Sequence, residues 1–253
     1  MTYGAFMDAL IELPVHNELL NGLEQRRPMF ATTPDISKPI VISSLRREAG
    51  KPLLLVCPDP ENARQLFGKL LAIWGDEGGI YHFVESELLP YERISIDRSI
   101  MHQRLSTLGA IIRSNTDAGS LPFSPIVVTS GLALMQKTLS PDAFVSSVET
   151  VRLGQTLTVD SFLASLSRKG YRFSPMVEEP GMVSRRGGII DVFTPGSGAP
   201  ARIELWGDTV DSIRLFDLDS QRSILSIEEL IILPAAEVLP ELAEKDVFGK
   251  YVE

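Results

Sequence analysis

Arg185 and Arg186 stand side by side, and a short loop later Arg202, Glu204 and Trp206 recur at every second position. These side chains suit binding rather than bond-making. A guanidinium is a planar fork of donors that meets carboxylates bidentately. An indole adds a large apolar area with a polar edge. Arginine and tryptophan are the types most enriched at the energetic centres of interfaces. Glu204 could pair with a basic residue on a partner. Taken alone, Arg185-Arg186 reads as a solvated strand end. Beside Arg202 and Trp206 on one sheet face, the two arginines would complete a recognition patch.

The elements that position these residues read as a β-meander. IIDVF (Ile189–Phe193) is apolar and β-branched between turn residues. ARIELW (Ala201–Trp206) alternates, VDSIRLF (Val210–Phe216) is read the same way, and Gly207-Asp208 forms the turn between them. Alternation sends Ile203 and Leu205 to one face and Arg202, Glu204 and Trp206 to the other. Either a helix covers this second face and Trp206 is core, or the indole faces water. Upstream, VDSFLASLSRK carries Val159, Phe162, Leu163 and Leu166 at helical spacing, with Thr158 as its cap and Gly170 as its stop. That helix is expected on the Ile203/Leu205 face, which would leave the arginine/tryptophan face open. The unit is a small α+β domain with an antiparallel sheet.

The first half alternates differently. MFAT is expected as a short strand, PIVISSLRREAG as a helix stopped at Gly50, PLLLVCP as a continuously buried strand and ENARQLFGKLLAIWG as an amphipathic helix. IYHFV, a long helix over IDRSIMHQRLSTLGAIIRS, the strand PIVVTS and the helix LALMQKTL follow. Apolar strands separated by helices imply a parallel sheet with helices on both faces, an α/β domain. After Pro141 the character changes. SVETVRLGQ is strand-like, and ELIILP near the end opens a further apolar strand. The expected boundaries are 1–139, 140–226 and 227–253.

Composition bounds the partners. The net charge is −9 and the pI about 5.0, against DNA as the main partner, since a general nucleic-acid binder presents a basic surface. No apolar run is long enough to span a bilayer, and the N-terminus, with Asp8 and Glu12, reads as an amphipathic helix rather than a signal peptide. Cys57, the one cysteine, is expected as a buried strand residue of a cytoplasmic protein. His16, His82 and His102 fall in different elements without metal-ligand spacing, and His102 is expected to be partly exposed. The acidic pairs Glu85/Glu87, Glu178/Glu179 and Asp217/Asp219 read as loops and caps. Ser130-Gly131 reads as a strand-to-helix turn, because G-x-S-x-G is missing. No catalytic residue, metal or cofactor is expected.

RRGGIIDVF, RIELWGDTVDSIRLFD, a DLDSQRS turn and ELIILPAAEV, preceded by LLPYERISIDRSIMHQRLSTL and PIVVTSGLALMQKTLSP, resemble the UvrB-homology module. That module occurs in the excision-repair helicase UvrB and at the N-terminus of the bacterial transcription-repair coupling factor. The resemblance is strongest from Leu53 to Val238. It implies a degenerate helicase-like domain 1a (1–139), a UvrA-docking domain 2 (140–226) and a returning strand that opens domain 1b (227–253). Where UvrB carries a phosphate loop, this chain reads ATTPDISKPIVISSL. It has no glycine there, Pro34 and Pro39 each remove an N–H donor, and Lys38 is followed by proline instead of Ser or Thr. No acidic DExx box follows a strand. LLPYERIS leaves no room for the long hairpin with which UvrB clamps damaged DNA. The pattern is that of the coupling factor, and it implies recruitment without catalysis; the alternative is a UvrB-type ATP-dependent helicase fragment. The positions matching the family's docking residues are Arg186, Arg202 and Trp206, the last often Phe in the family. The implied partner is UvrA. The resemblance also implies a masking contact with a later part of the full-length protein, which would hold the ATP-dependent translocase and meet RNA polymerase and DNA.

Overall fold

The computed structural model describes residues 3–75, 79–86, 98–114 and 124–237. In chain order the elements are α1 (Tyr3–Ile11), α2 (Pro14–Glu24), α3 (Lys38–Ala49), β1 (Leu53–Cys57), α4 (Pro60–Trp74), β2 (Ile80–Phe83), α5 (Arg98–Ser114), β3 (Ile126–Ser130), α6 (Gly131–Met135) and α7 (Pro141–Ser147). They continue with β4 (Glu149–Arg152), α8 (Val159–Arg168), β5 (Arg172–Phe173), β6 (Met182–Arg186), β7 (Ile189–Phe193), β8 (Ala201–Trp206), β9 (Thr209–Phe216), β10 (Ser223–Ser226) and β11 (Glu229–Ile232). Two compact units result. Of the described residues, one holds those within 1–85 and 113–136, the other those within 86–112 and 137–237. The segment LLPYERIS, Glu87 and the tail from Val238 on lie outside the described residues.

The first unit is built on a parallel sheet in the order β1-β3-β2. Its core lies between one sheet face (Cys57, Ile80, Ile126, Val128) and α4, whose Ala63 and Leu70 are fully buried. Asp59 caps α4 by accepting from the Asn62 N–H at 2.8 Å. Two expectations need correction. MFAT forms no strand: residues 27–34 have no regular structure. A run this short needs a neighbour to supply its ladder, and none pairs with it. β1 is not buried throughout, because Leu54 and Val56 are exposed. β1 is an edge strand, so the cover over Val127 and Thr129 on central β3 does not reach it.

The second unit carries a six-stranded sheet in the order β10-β9-β8-β7-β6-β5, antiparallel except for the β5–β6 pair. Helix α8 lies on one face. Phe162 and Leu166 pack there against Val183, Ile190, Ile203, Val210 and Ile213, with Leu163 and Leu205 at the margin. Thr158 is the residue before α8, but its hydroxyl makes no capping bond. β4 and β11 pair with each other as a separate two-stranded sheet and add Val151, Leu230 and Ile232 to the same core. Most of α5 belongs to this unit too: its Leu105 clusters with Phe144 and Leu233. The Tyr171 hydroxyl, buried here, donates to the Leu233 carbonyl at 2.8 Å, and burial pushes its pKa upward.

Candidate partner-docking surface

The hairpins fix which side chains share a face. Gly187-Gly188 closes β6 on β7 with Arg186 opposite Ile189, and Gly207-Asp208 closes β8 on β9 with Trp206 opposite Thr209. Gly207 holds φ +62°, the sense required at the first central position of such a two-residue turn. From these pairs, one row across the sheet reads Arg186, Ile189, Glu204, Ser212. The next reads Ser184, Asp191, Arg202, Arg214. Both rows lie on the face away from α8. β9 departs from strict alternation: Asp211 is an extra residue between Val210, opposite Leu205, and Ser212, opposite Glu204. The bulge lets Val210 and Ile213 both point into the core.

Trp206 is 84% exposed at the end of β8, so the indole faces water and is not core. Arg186 is exposed as well and donates from Nη2 to the Pro175 carbonyl at 3.0 Å. Ile189 lies between their strands, partly open to solvent. Arg202 is on the same face but is engaged within the domain. Its Nε and Nη2 donate to the two carboxylate oxygens of Asp191 at 2.7 and 2.9 Å. Hydrogen bonding to Asp191 raises the Arg202 pKa further. Glu204 is likewise occupied, accepting from Arg214 and, at 3.0 Å, from the Ser212 hydroxyl.

Arg185 does not share this face. It stands opposite Ile190, on the side packed against α8, and its Nη1 reaches Asp160 in the first turn of that helix at 3.1 Å. Adjacent strand residues point oppositely, so Arg185 and Arg186 could never lie on one face. Asp191, Arg214, Phe216 and Gln221 complete the surroundings of Arg202 and were not singled out from sequence. A signal for one of them existed: Asp191 is a lone acid inside IIDVF, and a buried carboxylate needs a partner.

The other groups singled out from the sequence lie away from this face. His102 is buried, not partly exposed, because α5 packs against the Gly181 loop. His82 is buried and stacks on Phe67 with ring centroids 5.1 Å apart. Burial lowers the pKa of both histidines and raises that of the buried Cys57 thiol. Ser130 caps α6 by accepting from the Ala133 N–H and donates to Glu85. Lys38 sits in the first turn of α3, paired with Asp35 at 2.6 Å. Among the described residues no group of three or more His, Cys, Asp or Glu is placed to hold a metal ion, and no helix is long and apolar enough to cross a membrane.

Residues 150–238 match the family described as the UvrB interaction domain. Those residues contain every strand of the face just described. The chain is also similar to curated transcription-repair-coupling factors. It is 34% identical to that of Myxococcus xanthus over 204 residues, covering 79% of this chain and 16% of the relative. Against the Escherichia coli protein it is 31% identical, covering 83% of this chain and 17% of the relative. Against the Bacillus subtilis protein it is 30% identical, covering 90% and 19%. The chain thus spans less than a fifth of the length of these relatives. With a UvrB interaction domain over 150–238 and coupling factors matched along most of its length, the chain belongs to the UvrB-homology module of the bacterial transcription-repair coupling factors.

Proposed function

We propose that this chain is a recruitment module that binds UvrA through the outer face of the β6–β9 sheet and carries out no chemistry of its own. The observation that carries this reading is Trp206. A large indole held open to water at the end of a strand, on the same face as an exposed arginine, is unusual for a surface with no partner. Arg186 supplies charge, Trp206 apolar area, and Arg202 a donor fixed between them and the rest of the sheet. Glu204 serves through its pair with Arg214, which keeps the middle of the face ordered. Arg185 supports the surface from behind, through Asp160.

In this reading the module brings a damage sensor to the coupling factor in the cytoplasm. Translocation, polymerase binding and DNA contact belong to other parts of the full-length protein, as does the segment that masks the docking face. The Lys38 region supports a non-catalytic role. Its ammonium is paired with Asp35, and Pro39 follows where a phosphate loop would offer N–H donors and a hydroxyl.

Titration of UvrA against the whole chain tests the reading. Trp206→Ala and Arg186→Ala should each weaken binding by about 2–4 kcal/mol, the range for truncating a central interface anchor. Unchanged affinity in both, with intact far-UV spectra, rejects this face.

A further inference from the structure

Arg202 and Arg186 share a face but are not equivalent. Nε of Arg202 gives its one N–H to Asp191. Nη2 gives one N–H to Asp191 and the other to Gln221 Oε1 at 3.2 Å. The guanidinium carbon also stands 4.5 Å over the Phe216 ring. Only Nη1 remains, without a partner among the described residues. Asp191 is nearly buried, with 5% of its side chain exposed against 22% for Arg202, so much of the desolvation of this ion pair has already occurred in the free domain. Arg186 is in the opposite condition. Its one hydrogen bond is to a neutral carbonyl, and among the described residues no carboxylate pairs with it. Across the two rows, Arg202 is balanced by Asp191 and Arg214 by Glu204, which leaves Arg186 as the uncompensated charge.

We propose that Asp191 is a positioning residue of the docking surface. It fixes Arg202 as a charge-compensated donor that offers only the two N–H groups of Nη1 to the partner, and it leaves Arg186 as the cation that meets a partner carboxylate. This rests on the reading of the outer face as the docking surface. A guanidinium already locked by three hydrogen bonds and a ring loses little rotamer freedom on binding. A mobile arginine at the same place would lose more and would offer its donors in competing directions. The arrangement also changes what the partner must supply. A carboxylate that meets Arg202 bidentately must displace Asp191 from Nε and Nη2 or Gln221 from Nη2, whereas an oxygen met by Nη1 alone displaces neither.

Asp191→Asn in the whole chain, titrated with UvrA, tests the proposal by sign. Charge alone predicts tighter binding to an acidic partner surface, because a negative group is removed. Positioning predicts weaker binding, by about tenfold or ~1.4 kcal/mol. The same substitution in an Arg202→Ala background should then cause no further loss. An Asp191 that merely supports the fold would lower affinity by the same factor in both backgrounds. Gln221→Asn covers the case in which Asp191→Asn unfolds. It withdraws the second anchor of Nη2, and asparagine tolerates the left-handed backbone found at Gln221 (φ +58°). It should weaken binding about threefold in the parent and leave the Arg202→Ala variant unaffected. Equal or tighter binding by Asp191→Asn overturns the proposal, as does an unchanged Gln221→Asn where Asp191→Asn does not fold. Were Arg186→Ala, Arg202→Ala and Trp206→Ala all without effect, the docking face itself would be misplaced.

Discussion

Gly181 and His102 are in direct contact: a Cβ built on Gly181 would stand 2.7 Å from the imidazole Nε2. Gly181 also holds φ +78°, where L side chains are strained. Gly181→Ala should therefore destabilise the second unit by about 1–3 kcal/mol, read as a lower midpoint in thermal or urea unfolding. Trp206 lies far along the sheet, so the variant that remains folded should still bind UvrA.

The same contact sets a pH dependence. Burial holds His102 below its ordinary 6.5, with Glu179 pulling it back up and Arg98 and Arg172 pushing it further down. A depressed folded pKa means that the unfolded chain takes up the proton first as pH falls. Stability is then full above about 6.5 and is lost as pH drops from there toward the folded pKa, by at most ~1.4 kcal/mol per unit for one site. His82 is shifted in the same direction by its own burial. Unfolding midpoints should fall between about pH 7.5 and pH 5.5 (either side of the ordinary histidine pKa). His102→Gln should flatten part of that slope and leave the share of His82.

Neighbouring residues of β8 should respond oppositely. Ile203 is fully buried in the core under α8, so Ile203→Ala should cost about 2–5 kcal/mol of stability. Trp206→Ala should change stability by about 0.5 kcal/mol or less, as at surface sites away from special features, while removing affinity. Parallel unfolding curves and UvrA titrations give both numbers. A Trp206→Ala variant that unfolds like Ile203→Ala would make the indole part of the core.

Fluorescence separates the two tryptophans. Trp74 donates its indole N–H to Ser43 at 2.8 Å and lies 4.4 Å from the Arg46 guanidinium. In a Trp74→Phe chain the remaining emission should be that of a solvated indole, readily quenched by acrylamide. Addition of UvrA should shift it to shorter wavelength and protect it.

Arg185 is the internal control for the arginine pair. Its partner is Asp160, and both side chains are exposed, Asp160 almost fully. Arg185→Ala should cost at most ~1 kcal/mol of stability and change UvrA affinity about twofold or less, against the larger loss from Arg186→Ala. Equal losses would show that the partner reaches around the sheet edge.

Legibility followed the range of the physics involved. Alternation in ARIELW placed Ile203 and Trp206 on opposite faces, because that pattern is local and has a period of two. The stripe of Val159, Phe162, Leu163 and Leu166 identified the helix that covers the inner face, again from local spacing. Cross-strand relations were harder to read. The two-residue Gly187-Gly188 turn sets Ser184 opposite Asp191, but β7 and β8 are joined by a longer loop whose length does not fix register. The lone acid in IIDVF calls for a partner, but the sequence does not say that Arg202 is the one. Arg185 and Arg186 are adjacent in one strand, and the same alternation that separates Ile203 from Trp206 separates them. The burial of His102 depends on packing between α5 and a loop some eighty residues on, which no local pattern records.

The extra residue in β9 has a consequence for how this surface can change. Because Val210 already faces Leu205 and Ser212 already faces Glu204, omitting Asp211 leaves every flanking pair intact. Such a shortening irons out the local coil of the ribbon and swings the Gly207 turn, and the indole with it, relative to Arg186. A residue lost elsewhere in β9, far from this bulge, instead shifts the pairs that follow it by one position. The length of β9 at Asp211 is thus coupled to the aim of the aromatic tip, while the inward positions of Val210 and Ile213 keep their phase.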